Sequence, residues 1–186
     1  MSADVGHRYQ PFYCEENVWW LLQHPDCAGH ERFALFISNA ARQCPVWAQK
    51  AAPEDGLAVW DYHVIVIAIV RRQRVEAWDL DTRLGMPVPL EDYLALTWPR
   101  VAPTAPPFAP RFRLVAAEVF LTTFCTDRGH MRAEDGWLHP PPPWPPPRAR
   151  EGTQGNLMRF VDLDAPFAGE VMDLVGLKRR FGIDGR

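Results

Sequence analysis

Apolar residues follow two rhythms along the chain. From Cys14 to Leu22 they recur at helical spacing, with Val18, Leu21 and Leu22 behind the acidic pair Glu15-Glu16. Acidic residues suit the positive end of a helix macrodipole, and Pro25 closes the segment, so a helix is predicted to start at Cys14. Ala34 to Ser38 is short and apolar and predicts a strand. Pro45 to Lys50 predicts a short helix with proline in its first turn. Pro53 to Gly56 is turn chemistry. The β-branched run from Ala58 to Val70 predicts one long strand, turning through Arg71 to Arg74 into a return strand from Val75 to Asp81. Beyond it, the pattern predicts a short helix over Glu91 to Leu96, an extended or mixed stretch over Phe112 to Phe120, and a closing helix from about Val171 to near Gly182.

Two proline-rich stretches, 103–110 and 140–147, break these rhythms. Proline has no N–H to donate, so the second tract is neither helix nor central strand and is expected to run as polyproline II across the surface. There is no internal repeat. A chain of 186 residues, 47% hydrophobic, fits one α/β domain over residues 1–186 whose core needs no disulfides.

Charge and cysteine usage narrow the function classes. A net charge of -3 without a basic surplus argues against nucleic acid and anionic lipid as partners. Val64 to Val70, the most apolar run, is too short to cross a membrane, and Met1 to Gln10 lacks the apolar stretch of a signal peptide. Both point to the cytoplasm, where Cys14, Cys27, Cys44 and Cys125, none in a C-x-x-C pair, are expected as free thiols. Most such cysteines are small buried hydrophobes.

Cys14 has a specific claim to reactivity. A helix N-terminus lowers a thiol pKa, and a nearby imidazolium lowers it further. A hairpin turning at Arg71 sets His63 opposite Asp79, with Cβ atoms roughly 5 Å apart. Nucleophile, base and orienter are then Cys14, His63 and Asp79. Zinc accepts the same three ligand types, so a metal site built from them stays open at this point.

Further motifs carry a resemblance. They are Tyr13-Cys14-Glu15-Glu16-Asn17-Val18-Trp19, Phe36-Ile37-Ser38-Asn39, Pro45-Val46-Trp47, Trp60-Asp61-Tyr62-His63-Val64, Asp79-Leu80-Asp81-Thr82, Asp127-Arg128-Gly129-His130-Met131, the second proline tract, Asn156-Leu157 and Arg180-Phe181-Gly182. In this order they resemble the protein N-terminal glutamine amidohydrolase family over nearly the whole chain. Departures lie mainly in the 103–110 loop and around Ala165 to Glu170.

The resemblance implies a transglutaminase-like, papain-related fold, with the nucleophile's helix packed on an antiparallel sheet. It implies the triad Cys14, His63 and Asp79, no cofactor, a monomer, and deamidation of N-terminal glutamine to glutamate with loss of ammonia. Partners are then peptides or proteins with a free N-terminal Gln; in eukaryotes the family feeds degradation that reads N-terminal residues. A free amine needs a carboxylate or converging carbonyls to read it, and Glu15, Glu16, Asp61 and Asp81 are near, Glu16 and Asp81 being favoured. Ser38 is expected to line the pocket through its motif, the Cys14 N–H to serve the oxyanion, and His130 to be structural. The alternatives are another thiol hydrolase or peptidase with this triad, and a docking protein that presents the proline tract to SH3- or WW-like partners.

Overall fold

A strand that is apolar on both faces needs cover on both faces, and Glu31–Ser38 and His63–Val70 are such strands. The computed structural model describes residues 6–53, 56–99, 106–149 and 155–183. In chain order its elements are α1 (Cys14–Leu21), α2 (Pro25–Ala28), β1 (Glu31–Ser38), β2 (Cys44–Trp47), β3 (Leu57–Trp60), β4 (His63–Val70), β5 (Arg74–Trp78), β6 (Val88–Pro89), α3 (Leu90–Thr97), β7 (Arg111–Ala116), α4 (Ala117–Thr123), β8 (Arg132–Ala133), β9 (Gly136–Trp137), α5 (Leu157–Val161), β10 (Glu170–Asp173) and α6 (Leu174–Arg180). Six strands form an antiparallel sheet in the order β10-β7-β1-β4-β5-β6.

The central strands β1 and β4 explain their own sequences. Ala34, Phe36, Val64, Val66 and Ala68 face one layer with Val18, Leu21, Phe120, Phe124 and Phe160, from α1, α4 and α5 or their ends. Leu35, Ile37, Ile65 and Ile67 face the other, with Leu90, Tyr93, Leu94 and Leu177 from α3 and α6. The chain is thus a mixed α/β structure with an antiparallel sheet between helical layers. No described helix is long and apolar enough to cross a membrane. All four cysteines are buried free thiols.

Several expectations are corrected. The long strand over Ala58 to Val70 is two strands in two sheets. The break is built by Asp61, whose side chain accepts the Tyr62 N–H (2.9 Å) and whose carbonyl accepts the Ser38 hydroxyl (2.6 Å). Pro45 to Lys50 is not a helix: Cys44–Trp47 pairs with β3 in a two-stranded sheet, where an edge tolerates proline. The return strand stops at Trp78, because Asp79 Oδ1 captures the Asp81 N–H (2.9 Å) and turns the chain. Phe112 to Phe120 resolves into the end of β7 and the start of α4. The closing helix starts at Leu174, capped by Asp173 onto the Gly176 N–H (2.7 Å), and β10 precedes it. Gly56 N–H closes onto the Pro53 carbonyl (3.0 Å) as the turn reading expects, with Glu54 and Asp55 outside the described residues. The 103–110 loop also lies outside them up to residue 105.

Candidate active site

Helix α1 begins at Cys14 because Tyr13 caps it with a non-helical backbone and Asn17 fastens the approach. The Asn17 side chain accepts from the Gln10 N–H and donates to the Gln10 carbonyl, both at 2.9 Å. The Cys14 N–H meets no acceptor among the described residues. The helix packs on β4, and the Cys14 sulfur lies within reach of the Val64 N–H, one residue beyond His63.

His63 opens β4 and pairs with Ile37 of β1. The β4–β5 ladder pairs Val66 with Trp78, which centres the turn on Arg72 instead of Arg71. That shift moves every partner by two residues, so His63 and Asp79 keep the same face. They meet beyond the ladder's end: His63 Nε2 donates to Asp79 Oδ1 at 3.0 Å. Asp79 is also the acceptor for Gln49 Nε2 and the Tyr93 hydroxyl, each at 2.9 Å on Oδ2. Burial alone would raise its pKa, but His63, Gln49 and the Asp81 N–H more than offset it, and Asp79 stays below the usual carboxylate range. Burial would likewise lower His63, yet Asp79 and then Asp81 win and hold its pKa up. His63 Nδ1 is buried with no hydrogen-bond partner.

Cys14, His63, Asp81, Asp61, Tyr62 and His130 share one cleft of about 420 Å³. Its other walls include Phe12 and Trp60; Trp60 stacks on His63 with centroids 5.5 Å apart. The Cys14 thiol does not have the lowered pKa its helix start predicts. Burial first, then the charges of Glu15, Asp81 and Asp79, push it well up, against the pull of the Val64 N–H. Its hydrogen-bond partner here is Glu15 Oε2, at 3.8 Å.

Of the carboxylates favoured for reading an amine, Asp81 lines the cleft and accepts the Tyr9 hydroxyl at 2.5 Å. Glu16 does not. It is fully buried, clamped by Arg128 through Nε (2.6 Å) and Nη2 (2.8 Å) and by Trp144 Nε1 (3.0 Å). Ser38 is also absent from the lining, being buried under the Asp61 carbonyl. His130, expected as structural, lies in the cleft wall. Gln49 and Tyr93 escaped the sequence reading; Gln49 fell in the segment taken for a helix. The proline tract packs on the protein: Arg128 donates to the carbonyls of Pro142 (3.3 Å) and Trp144 (2.8 Å), and Thr126 N–H to that of Pro147 (3.1 Å).

Two clusters among the described residues could present ligand atoms to a metal. One is His63, Asp79 and Asp81, without Cys14; the other is His7, His24 and Asp26. In the first, Nε2 of His63 is already bonded to Asp79; in the second, His24 Nδ1 caps α2.

The family model described as N-terminal glutamine amidase matches residues 9–181. The chain belongs to the N-terminal glutamine amidase family. Relatives named protein N-terminal glutamine amidohydrolase include one from Homo sapiens, 34% identical over 94% of this chain and 87% of its own length. One from Arabidopsis thaliana is 37% identical over 83% and 74%, and one from Drosophila erecta 38% over 74% and 70%. The amidase match runs from Tyr9, through every cleft residue, past the proline tract to Phe181.

Proposed function

We propose that the protein hydrolyses the side-chain amide of N-terminal glutamine in peptides and proteins, giving glutamate and ammonia, in a single transglutaminase-like catalytic domain. One observation carries this reading: Cys14 and His63, the latter held from behind by buried Asp79, line one cleft with the carboxylates Asp81 and Asp61. Family membership supports the same chemistry.

Because Asp79 holds Nε2–H, His63 keeps its lone pair on Nδ1, and its raised pKa makes it a stronger base than usual. His63 takes the Cys14 proton as sulfur attacks the amide carbon, so the buried thiol needs no standing charge. The Cys14 N–H stabilises the oxyanion. The C–N bond breaks as His63 returns the proton to nitrogen, and ammonia leaves a thioester. Water, deprotonated by His63, then releases glutamate. Asp81 binds the substrate's α-ammonium. Asparagine, one methylene shorter, misplaces the carbon by about 1.5 Å and loses the attack geometry.

The test is ammonia release from a Gln-initiated peptide beside the same peptide N-acetylated or with glutamine internal. Only the first should react, and Cys14→Ala should abolish it. Equal turnover of the acetylated peptide would sink the terminal-amine assignment, and full activity of Cys14→Ala the thiol mechanism.

A further inference from the structure

A second histidine–carboxylate pair sits beside Cys14 and has no part in the mechanism above. His130 Nε2 lies 3.3 Å from the Tyr62 hydroxyl and 3.5 Å from Glu15 Oε1. The Tyr62 hydroxyl donates to Glu15 Oε2 at 3.0 Å, and the same oxygen takes the Cys14 thiol. Glu15 is fully buried, and its Oε1 makes no hydrogen bond of good geometry. Two charged or polar pairs therefore flank one sulfur.

The network fixes the imidazole. Once Glu15 is ionised, above about pH 7, the one Tyr62 proton goes to it, so between Tyr62 and His130 the ring is the donor. Nε2 then carries the hydrogen and Nδ1 the lone pair. Burial lowers the His130 pKa against the pull of Asp61 and Asp127, which keeps the ring neutral. Nothing among the described residues bonds Nδ1, and the ring lines the cleft, its side chain 18% exposed. A neutral acceptor apart from His63 thus stands in the same cleft as the carboxylates Asp61 and Asp81.

We propose that His130 Nδ1 is the binding subsite for the nitrogen of the substrate carboxamide, with Glu15 and Tyr62 as its positioning residues; this rests on the amide-hydrolase reading of the same cleft. In the tetrahedral adduct the carbon–sulfur bond has formed and nitrogen carries two hydrogens and one lone pair. His130 accepts a hydrogen bond from one N–H and takes no proton. That turns the lone pair toward the His63 imidazolium, which supplies the proton as the C–N bond breaks and nitrogen leaves with the bonding electrons. The side-chain carboxylate of the product has no N–H to offer at this position, so the subsite favours substrate over product.

An oxygen leaving group separates this role from a structural one. The substrates are a Gln-initiated peptide and its counterpart bearing glutamate γ-methyl ester, with Cys14→Ala as the blank for spontaneous ring closure. His130→Ala should lower kcat for the amide by roughly 10- to 100-fold, the size of one lost hydrogen bond in a buried site, and leave the ester within about threefold. His130→Asn, which restores an acceptor close to Nδ1, should recover part of the amide rate. Thermal melting of both variants reports folding, and His130→Asn repeats the amide–ester comparison if His130→Ala does not fold. Equal losses on amide and ester in a folded variant, or no loss on the amide, overturn the subsite while wild-type ammonia release keeps the amidase reading intact. No ammonia from the wild-type protein overturns both.

Discussion

Two histidine–carboxylate pairs stand beside the cleft, and their carboxyls differ in how readily they ionise. At His63–Asp79 the carboxylate receives four hydrogen bonds, from His63, the Asp81 N–H, Gln49 and Tyr93. It stays ionised, and the imidazole is pulled toward its cation. At His130–Glu15 the carboxyl has the Tyr62 hydroxyl and a long contact from a thiol. Burial there pushes Glu15 up to about 7 and His130 down. A buried carboxylate is charged in proportion to the donors aimed at it, and its histidine follows. One pair is therefore built to move a proton and the other to stand still.

The largest effect comes from breaking the first pair. Asp79→Asn keeps the shape but presents an amide where His63 needs an acceptor, which favours the wrong tautomer. By analogy with serine hydrolase triads, kcat should fall about 10⁴-fold in the ammonia-release assay. A loss under tenfold would remove Asp79 from the orienting role.

The second pair depends on its loop. Arg128, two residues before His130, is joined to Glu16, which neighbours Glu15 on α1, across a separation of 112 residues. Arg128→Leu leaves the Glu16 charge buried with the Trp144 indole as its remaining donor, and should cost about 3–5 kcal/mol of stability in denaturant titration. Adding Glu16→Gln should recover much of it. If the single variant loses less than about 1 kcal/mol, the clamp does not hold the His130 loop.

These two pairs were unequally legible in the sequence. The hairpin that carries His63 and Asp79 is local, and its β-branched run and basic turn predicted the contact; a turn centre off by one residue left the face unchanged. The helix start at Cys14 was equally local. What escaped depends on partners distant in the chain. Ser38 looked like a pocket residue from its motif, but the Asp61 carbonyl, a turn away from His63, takes its hydroxyl. Glu16 looked available because nothing near it in sequence announces Arg128 or Trp144. His130 shows no local periodicity, and its significance appears only once Tyr62 and Glu15 are folded against it. Pro45 to Lys50 misled because proline fits a helix's first turn and an edge strand alike.

The smallest effect, and the sharpest on the contrast, is the pH dependence of stability. Glu15 rises from an ordinary value of 4.5 to about 7 on folding, so between those values the folded protein holds a proton the unfolded chain has released. Stability from this group is therefore lost as pH climbs through that window, by about 3 kcal/mol in all. Asp79, whose folded pKa is depressed, works in reverse: its contribution is present above the usual aspartate range and is lost as pH falls. Asp81, His63 and Cys14, all raised, slope with Glu15, each losing stability as pH climbs through its own window. The Asp79, Asp81 and His63 contributions are common to wild type and Glu15→Gln and cancel in the difference, and Cys14, raised well above 9.0, keeps its proton in the folded protein throughout the window. The variant cannot ionise at residue 15, so its unfolding free energy should fall less than that of wild type between pH 5 and pH 8, by about 3 kcal/mol. Parallel curves would mean that Glu15 is charged throughout, and that the two pairs differ in position but not in kind.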